Sequence, residues 1–122
     1  MSIVGKCKTL RIFIDEDKKF EGKLVYKAII DKLLELKLAG ATVFKGIEGF
    51  GSSLHMHTAR IIEITENLPM VIEVVDKPKE IHRALNAIEP MLPPHCLVTV
   101  QEIQVLHYHH PEGKHAQTKT LD

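Results

Sequence analysis

The chain has 122 residues, of which 44% are hydrophobic and 26% charged, a balance that predicts one domain around a single core and excludes a disordered or two-domain chain. Sixteen basic side chains balance sixteen acidic ones, so no overall attraction to phosphate backbones or anionic membranes exists. We therefore expect no nucleic-acid partner. With no apolar run near ~18 residues and no signal-peptide core, we also expect a cytoplasmic protein without membrane insertion.

The first two elements are a strand and a helix. Side chains alternate over residues 9–15, which predicts a strand with Leu10, Ile12 and Ile14 on one face and Thr9, Arg11 and Phe13 on the other. Apolar residues then recur at three- and four-residue intervals, which predicts a helix. These residues are Tyr26, Ile29, Ile30, Leu33, Leu34 and Leu38. Gly40 is expected to end this helix with a positive φ.

A second strand is predicted over residues 41–47, leading into a cluster of glycines. Residues 58–65 and 70–76 also read as extended, either as one broken strand or as two short ones. Pro69, which separates them, has no N–H group to donate and therefore predicts a bulge or an edge strand.

The last two elements are a helix and a strand. Asp76 is expected to cap the second helix, with Pro78 in its first turn. Its buried stripe comprises Ile81, Ala84, Leu85 and Ile88. Pro90 and the following Pro93–Pro94 pair end the helix, and residues 95–106 form the last strand.

The order βαββαβ predicts an α+β, ferredoxin-like domain over residues 1–106, with an antiparallel sheet and two helices on one face. Residues 107–122 are expected to form a flexible, histidine-containing tail. The opposite sheet face, with Phe13 and Phe44, has nothing to cover it, which predicts a homo-oligomer that packs sheet on sheet. Cys7 and Cys96 fall at opposite ends of the sheet and are expected to be free thiols.

Three groups of residues could bind ligands. The glycine cluster could hold an anion through its backbone N–H groups, with Lys45 and Arg60 nearby, or could simply form a tight loop. His55 and His57 would face one side of an extended chain, so they could bind Zn²⁺ or Cu²⁺ or belong to a polar loop. The tail histidines could hold a transition metal loosely or remain solvated. They are His107, His109, His110 and His115.

A catalytic constellation is not apparent. Ser52 and Ser53 are close to His55 and His57 in sequence, but they do not lie in a nucleophile-elbow context. An acid that would orient either imidazole cannot be placed from the sequence. We therefore expect a protein that is not an enzyme.

Two sequence blocks resemble the small PII-like proteins. The first is GATVFKGIEGFG at residues 40–51, followed by His55-Met-His57, and the second is LPMVIEVVD at residues 68–76. The resemblance runs from about Thr9 to Leu106. These proteins are similar to the nitrogen-regulatory PII proteins, which are homotrimers that bind adenine nucleotides in clefts between subunits and control partner proteins through a T-loop.

The resemblance implies that Gly46, Gly49, Phe50 and Gly51 form the base of a T-loop equivalent. It also implies that the sheet face with Arg11 and Phe13 turns toward the trimer centre.

Two departures from the PII pattern narrow this expectation. The turn between the second helix and the last strand reads MLPPHC at residues 91–96, without the glycine and lysine that hold phosphates in PII proteins. We therefore expect a monophosphate such as AMP rather than ATP. Tyrosine occurs only at Tyr26 and Tyr108, so control by uridylylation of a T-loop tyrosine is excluded.

The sequence hypothesis is a non-catalytic, trimeric signalling protein that binds a small adenine nucleotide between subunits. It has no other cofactor, and its residues 49–58 form the effector loop for an unknown partner protein. The expected ligand-binding residues are Lys45, Gly46, Gly49, Phe50, Gly51, His55, His57 and Arg60. One alternative is a divalent-metal-binding trimer resembling the CutA proteins, with His55, His57 and the tail histidines as ligands. Another is an enzyme that uses the cleft histidines as acid and base.

Overall fold

The computed structural model describes residues 3–50, 57–58, 68–108 and 117–118. The first half contains β1 (Gly5–Asp15), β2 (Lys19–Phe20), β3 (Lys23–Leu24), α1 (Val25–Glu35), β4 (Ala41–Lys45), β5 (Glu48–Gly49) and β6 (His57–Thr58). The second half contains β7 (Pro69–Asp76), α2 (Pro78–Ile88), a short 3₁₀ helix (Glu89–Met91), β8 (Leu97–Val105), β9 (His107–Tyr108) and β10 (Gln117–Thr118).

Four strands form the main sheet in the order β4-β7-β1-β8, and every neighbouring pair is antiparallel. The predicted ferredoxin-like arrangement of an antiparallel sheet with two helices is confirmed. β1 starts four residues earlier than predicted and pairs with β8 as far back as Gly5. β2 with β3, β5 with β6 and β9 with β10 form three small two-stranded sheets.

The core lies between the sheet and the two helices. Alternate residues of β1 and β7 meet the apolar stripes of α1 and α2, as the period of two in a strand and the three- and four-residue intervals in a helix require. The buried cluster consists of Leu10, Ile12, Ile14, Val25, Ile29, Leu33, Met70, Ile72, Val74, Ile81, Ala84 and Ile88. Leu85, predicted to be buried, is partly exposed and packs at the margin of this cluster.

The end of α1 differs from the prediction. The helix ends at Glu35, and the positive φ belongs to Lys37, at 61°, not to Gly40. The Lys37 amide donates to the Leu34 carbonyl at 3.0 Å and the Leu38 amide to the Leu33 carbonyl at 3.2 Å. These two bonds make a Schellman motif with lysine at the position that glycine usually occupies, which propensity alone does not predict.

Pro69 was predicted to mark a bulge or an edge, and this was wrong. It is the first residue of β7, which lies inside the sheet between β4 and β1. A proline is tolerated at the start of an interior strand because the first residue of a strand does not have to donate a backbone hydrogen bond to its neighbour. Of the predicted strand over 58–65, only Thr58 belongs to the described residues, and it pairs with Glu48.

Asp76 does not cap α2, because the residue at the N-cap is Lys77. The buried Asp76 carboxylate accepts hydrogen bonds from the Lys77 amide at 2.7 Å and from the Ala39 amide at 2.9 Å. It therefore ties the end of β7 to the turn that precedes β4. Tyr108 reaches the same turn and donates its hydroxyl to the Ala39 carbonyl at 3.3 Å.

The sheet face opposite the helices carries a row of four apolar side chains, one from each strand. Phe44 and Phe13 both pair with Val71, and Phe13 also pairs with Leu97, so the four lie side by side. We call them the apolar row. The next row along this face is polar, and in it the Arg11 guanidinium lies 2.8 Å from the Glu73 carboxylate.

Both cysteines are free thiols, as predicted. The Cys7 thiol donates to the Ile3 carbonyl at 2.8 Å, and the Cys96 thiol donates to the Phe13 carbonyl at 3.3 Å. Cys7 pairs with Ile103 near one end of β1, whereas Cys96 precedes Leu97 at the other end.

Candidate functional site

A cleft of about 510 Å³ opens at the end of the sheet where β1 and β4 finish and β7 and β8 begin. Four stretches that are far apart in the sequence meet there because neighbouring strands run antiparallel. Its lining residues are Phe13, Ile14, Asp15, Lys18, Gly46, Glu48, Gly49, Phe50, Pro69, Met70, Val71, Pro93, Pro94, His95, Cys96 and Leu97.

Gly46 and Gly49, both expected to bind a ligand, line this cleft and also pack tightly on Pro69. The Gly46 amide donates to the Pro69 carbonyl at 2.7 Å. A Cβ atom on Gly46 would lie 2.9 Å from Pro69 Cγ, and one on Gly49 would lie 3.2 Å from the same atom. Close packing on Pro69 therefore leaves no room for a side chain at Gly46 and little at Gly49, and it shapes the wall of the cleft.

Lys45 was expected to supply charge to the ligand, but its ammonium is engaged elsewhere. Lys45 Nζ lies 2.8 Å from the Glu16 carboxylate, and Lys45 is not among the residues that line the cleft. The ion pair joins the end of β4 to the segment after β1. Because both side chains are partly exposed, it contributes no more than about 1 kcal/mol.

Phe50 lines the cleft as expected, and 64% of its surface is exposed. An aromatic ring that is open to solvent in this way can stack on a base. Of the other predicted ligand residues, His57 lies on β6 and pairs with Gly49. Gly51, His55 and Arg60 lie outside the described residues.

The turn before β8, which was noted only as a departure from the PII pattern, forms the opposite wall of the cleft. Pro93, Pro94, His95 and Cys96 all line it. His95 has a φ of 65°, a conformation that costs a side-chain-bearing residue roughly 1–2 kcal/mol. Burial raises the pKa of the Cys96 thiol, which keeps this thiol neutral near pH 7.

Sequence reasoning missed several lining residues, among them Asp15 and Lys18. Neither was among the expected ligand-binding residues. Their place in the site follows from the sheet order, because the end of β1 must lie beside the start of β7 and the start of β8. The ferredoxin-like topology was predicted, so the residues at the end of β1 could have been included among the candidate site residues.

The charges of the described lining are mixed. Asp15 and Glu48 are acidic, whereas Lys18 is basic and His95 contributes an imidazole ring. The remaining lining is largely apolar, with two phenylalanines and three prolines. An apolar cleft with a few polar groups at its margin is the usual form of a small-molecule site.

The described residues contain no group of three or more His, Cys, Asp or Glu side chains placed to hold a metal ion. The histidines that the metal alternative requires are mostly in other parts of the chain: His55, His109, His110 and His115 are not described. Within the described ranges, helices with the length and apolarity needed to cross a membrane are also absent.

The fold is that of the PII-like proteins. The structure matches CPII, a nitrogen regulatory PII-like protein from Thiomonas intermedia K12 bound to ADP, AMP and bicarbonate, with a TM-score of 0.62 and 21% identity over 82% of this chain and 88% of that one. A second structure of CPII, bound to ADP, AMP and acetate, matches with a TM-score of 0.58 and 19% identity over 83% and 89% of the two chains.

The family model DUF190, described as "Uncharacterized ACR, COG1993", matches residues 7–105, and the chain belongs to this family. A UPF0166 protein of Aquifex aeolicus is 36% identical over 104 residues, which cover 85% of this chain and 97% of that protein. A UPF0166 protein of Methanocaldococcus jannaschii is also 36% identical, over 100 residues that cover 82% and 92% of the two chains. The resemblance to a small PII-like family is thus confirmed.

Proposed function

We propose that this chain is a PII-like regulatory protein that binds an adenine nucleotide in the cleft at the end of its sheet. The observation that carries the proposal is the cleft itself, where Phe50 and the base of the loop after β4 face the turn before β8. The CPII structures with ADP and AMP support it, because they share this fold. Regulation rather than catalysis is part of the proposal.

The proposal includes a homotrimer with the apolar row at its centre. Phe44 is 52% exposed, Phe13 38% and Leu97 57%, so this row would be costly to leave in water. Packing the rows of three chains together would place the cleft of one chain beside its neighbour. The nucleotide would then lie between subunits, as the resemblance to PII proteins implies.

Residues 49–58 would be the effector loop. They follow the cleft wall directly, and the pairing of Glu48–Gly49 with His57–Thr58 closes the base of the loop. A ligand that contacts Phe50 would change the relative stability of loop conformations, and a partner protein would respond to that difference.

The test is calorimetric titration and thermal unfolding with AMP, ADP and ATP, with and without bicarbonate. We expect saturable binding of AMP at millimolar or lower concentration and a raised melting temperature. Phe50→Ala should weaken binding about tenfold, because a stacked base contributes roughly 1–3 kcal/mol. Ile47→Ala is the matched control, since Ile47 is an even more exposed apolar side chain nearby that does not line the cleft. Wild-type protein that binds none of the three nucleotides would overturn the proposal.

A further inference from the structure

The row of side chains next to the apolar row holds a cation and an anion side by side. One residue of each strand belongs to it, and we call these residues the polar row: Thr42, Glu73, Arg11 and Thr99. Arg11 Nε donates to the Glu73 carboxylate at 2.8 Å, and Arg11 Nη1 donates to Gln101 Oε1 at 3.4 Å. Both partners of the ion pair are partly exposed, so the pair shares the open surface of the apolar row.

The Arg11–Glu73 pair has hydrogen-bonding capacity that this chain does not use. A guanidinium has several N–H donors, and each oxygen of a carboxylate can accept hydrogen bonds. Among the described residues, neither Arg11 Nη2 nor Glu73 Oε1 has a hydrogen-bond or ion-pair partner. The pair therefore still offers donors and an acceptor on the open face of the sheet.

The open part of this face is limited to the two rows. Thr9 and Cys7 precede Arg11 at alternate positions of β1 and lie on the same face, yet they are only 4% and 2% exposed. The face beyond the polar row is therefore already covered within the chain. A molecule that binds the open part must contact the apolar row and the polar row together.

The charges of the two rows fit a second copy of this chain. The rows carry one cation and one anion, so they give neither a nucleic acid nor an anionic membrane an electrostatic advantage. A second copy supplies what the pair lacks. Its carboxylate fits the unused N–H groups of Arg11, and its guanidinium fits the unused oxygen of Glu73.

We propose that the Arg11–Glu73 pair makes the homo-oligomer specific, with each Arg11 bridging the Glu73 of its own chain and the Glu73 of a neighbouring copy. The apolar row supplies most of the affinity, whereas the ion pairs fix the relative positions of the sheets and the number of copies. Misplaced copies are disfavoured because they leave a buried charge without a partner. For its subunit number, three, the inference rests on the proposed function.

The first test compares Arg11→Gln with Arg83→Gln by light scattering and sedimentation over a range of protein concentrations. Arg83 is the matched control, because it is a similarly exposed arginine that pairs with Glu80 at 2.6 Å but lies on α2, behind the sheet. We expect Arg11→Gln to raise the dissociation constant of the assembly at least about thirtyfold, because it leaves Glu73 unpaired in the interface. Arg83→Gln should dissociate like wild type. Equal dissociation constants for Arg11→Gln and wild type would overturn the inference.

Mixing two charge-reversed variants tests whether the contact crosses between copies. Arg11→Glu places two carboxylates in the polar row and Glu73→Arg places two guanidinium groups there, so each variant should assemble poorly alone. We expect a mixture to form assemblies that contain both variants, which native mass spectrometry detects by their masses. An ion pair that acts only within one chain cannot be repaired by mixing, so a mixture without joint assemblies would count against the inference.

The same measurements separate this inference from the proposed trimer. A wild type of another subunit number, whose charge-reversed variants assemble when mixed, would contradict the trimer and support the inference. A trimeric wild type that Arg11→Gln leaves equally tight would support the trimer and overturn the inference. A wild type that is monomeric at every concentration would overturn both, and the nucleotide titrations would still decide the rest of the proposed function.

Discussion

The Gly46 amide and the Pro69 carbonyl are joined by a 2.7 Å hydrogen bond, and the proline ring packs directly against the glycine. The contact connects the end of β4 to the start of β7 at the floor of the cleft. The segment after β4 therefore begins at a point where the backbones of two strands are in close contact.

Gly46→Ala should destabilise the protein. Its new Cβ would lie 2.9 Å from Pro69 Cγ and 3.1 Å from the Pro69 carbonyl oxygen, so backbone must shift. Overpacking of this kind costs about 1–3 kcal/mol. Gly40→Ala is the control, because its Cβ would meet nothing within 4 Å and its φ is not positive. Urea denaturation measures both, and equal free energies of unfolding for the two variants would contradict the packing argument.

Lys37→Gly should stabilise the protein by up to about 1 kcal/mol, because Lys37 occupies a φ of 61° that glycine adopts without strain. Lys27→Gly is the opposite case. Lys27 is exposed inside α1, where glycine costs roughly 1 kcal/mol relative to a good helix former. Thermal and urea unfolding should move the two midpoints in opposite directions. A lower midpoint for Lys37→Gly would show that the side chain makes contacts worth more than the backbone strain.

Phe44→Glu should dissociate the proposed trimer, because a carboxylate would be placed in the apolar row at the subunit interface. Light scattering should give three times the chain mass of 13.8 kDa for wild type and a lower value for the variant. Leu34→Glu serves for comparison, since Leu34 is 76% exposed on α1, in the layer behind the sheet. A monomeric wild type, or dissociation by both variants alike, would argue against the sheet face as the interface.

Cys96 should react with iodoacetamide faster than Cys7. Cys7 is only 2% exposed, whereas Cys96 is partly exposed and lines the cleft. Peptide mapping after timed alkylation measures the two rates, and bound AMP should slow the labelling of Cys96. Labelling of Cys7 at an equal rate would mean that its end of the sheet opens readily.

The Cys7 thiol also predicts how the stability of the protein depends on pH. Burial is the main cause that raises the pKa of Cys7, and the Asp76 charge adds to it. A raised pKa means that the folded state holds the thiol proton more tightly than the unfolded state. The resulting stability is complete below the ordinary thiol pKa of 9.0 and is lost as pH rises through the folded value. Unfolding midpoints measured from pH 8 upward should fall less steeply for Cys7→Ala than for wild type.

Much of the fold could be predicted because periodicity records which side chains are buried. The alternation of Leu10, Ile12 and Ile14 gave the core face of β1, and most of both helix stripes was placed correctly, whereas Leu34 of the predicted α1 stripe is exposed. Pro69 was misinterpreted because local preference was weighed without the sheet order, and Gly40 because a glycine was expected at the positive φ that Lys37 adopts. The place of Pro69 is decided by pairing with strands distant in sequence, whereas the helix end at Lys37 is closed by local hydrogen bonds to the Leu33 and Leu34 carbonyls.

The candidate site was less predictable, for a physical reason. Glycine and histidine patterns pointed to residues 45–60, of which Gly46, Gly49 and Phe50 line one wall of the cleft. The other walls come from Asp15, Lys18 and the turn at Pro93–Cys96, where the sequence shows nothing beyond a charged turn and two prolines. A site whose residues come from several strands has no local sequence pattern, so it is recognised only when the strands are placed in the folded structure.

The eleven residues of β1 connect the cleft to the opposite end of the sheet, where Tyr108 bonds to Ala39. Val71 lines the cleft and Asp76 bonds to the Ala39 amide, so five residues of β7, at about 3.3 Å per residue, hold these two places roughly 17 Å apart. A fluorophore or an immobilisation tag placed beside Tyr108 would therefore lie at the end of the sheet away from the cleft of the same chain. Binding could be followed on tethered or labelled protein without the handle obstructing the cleft.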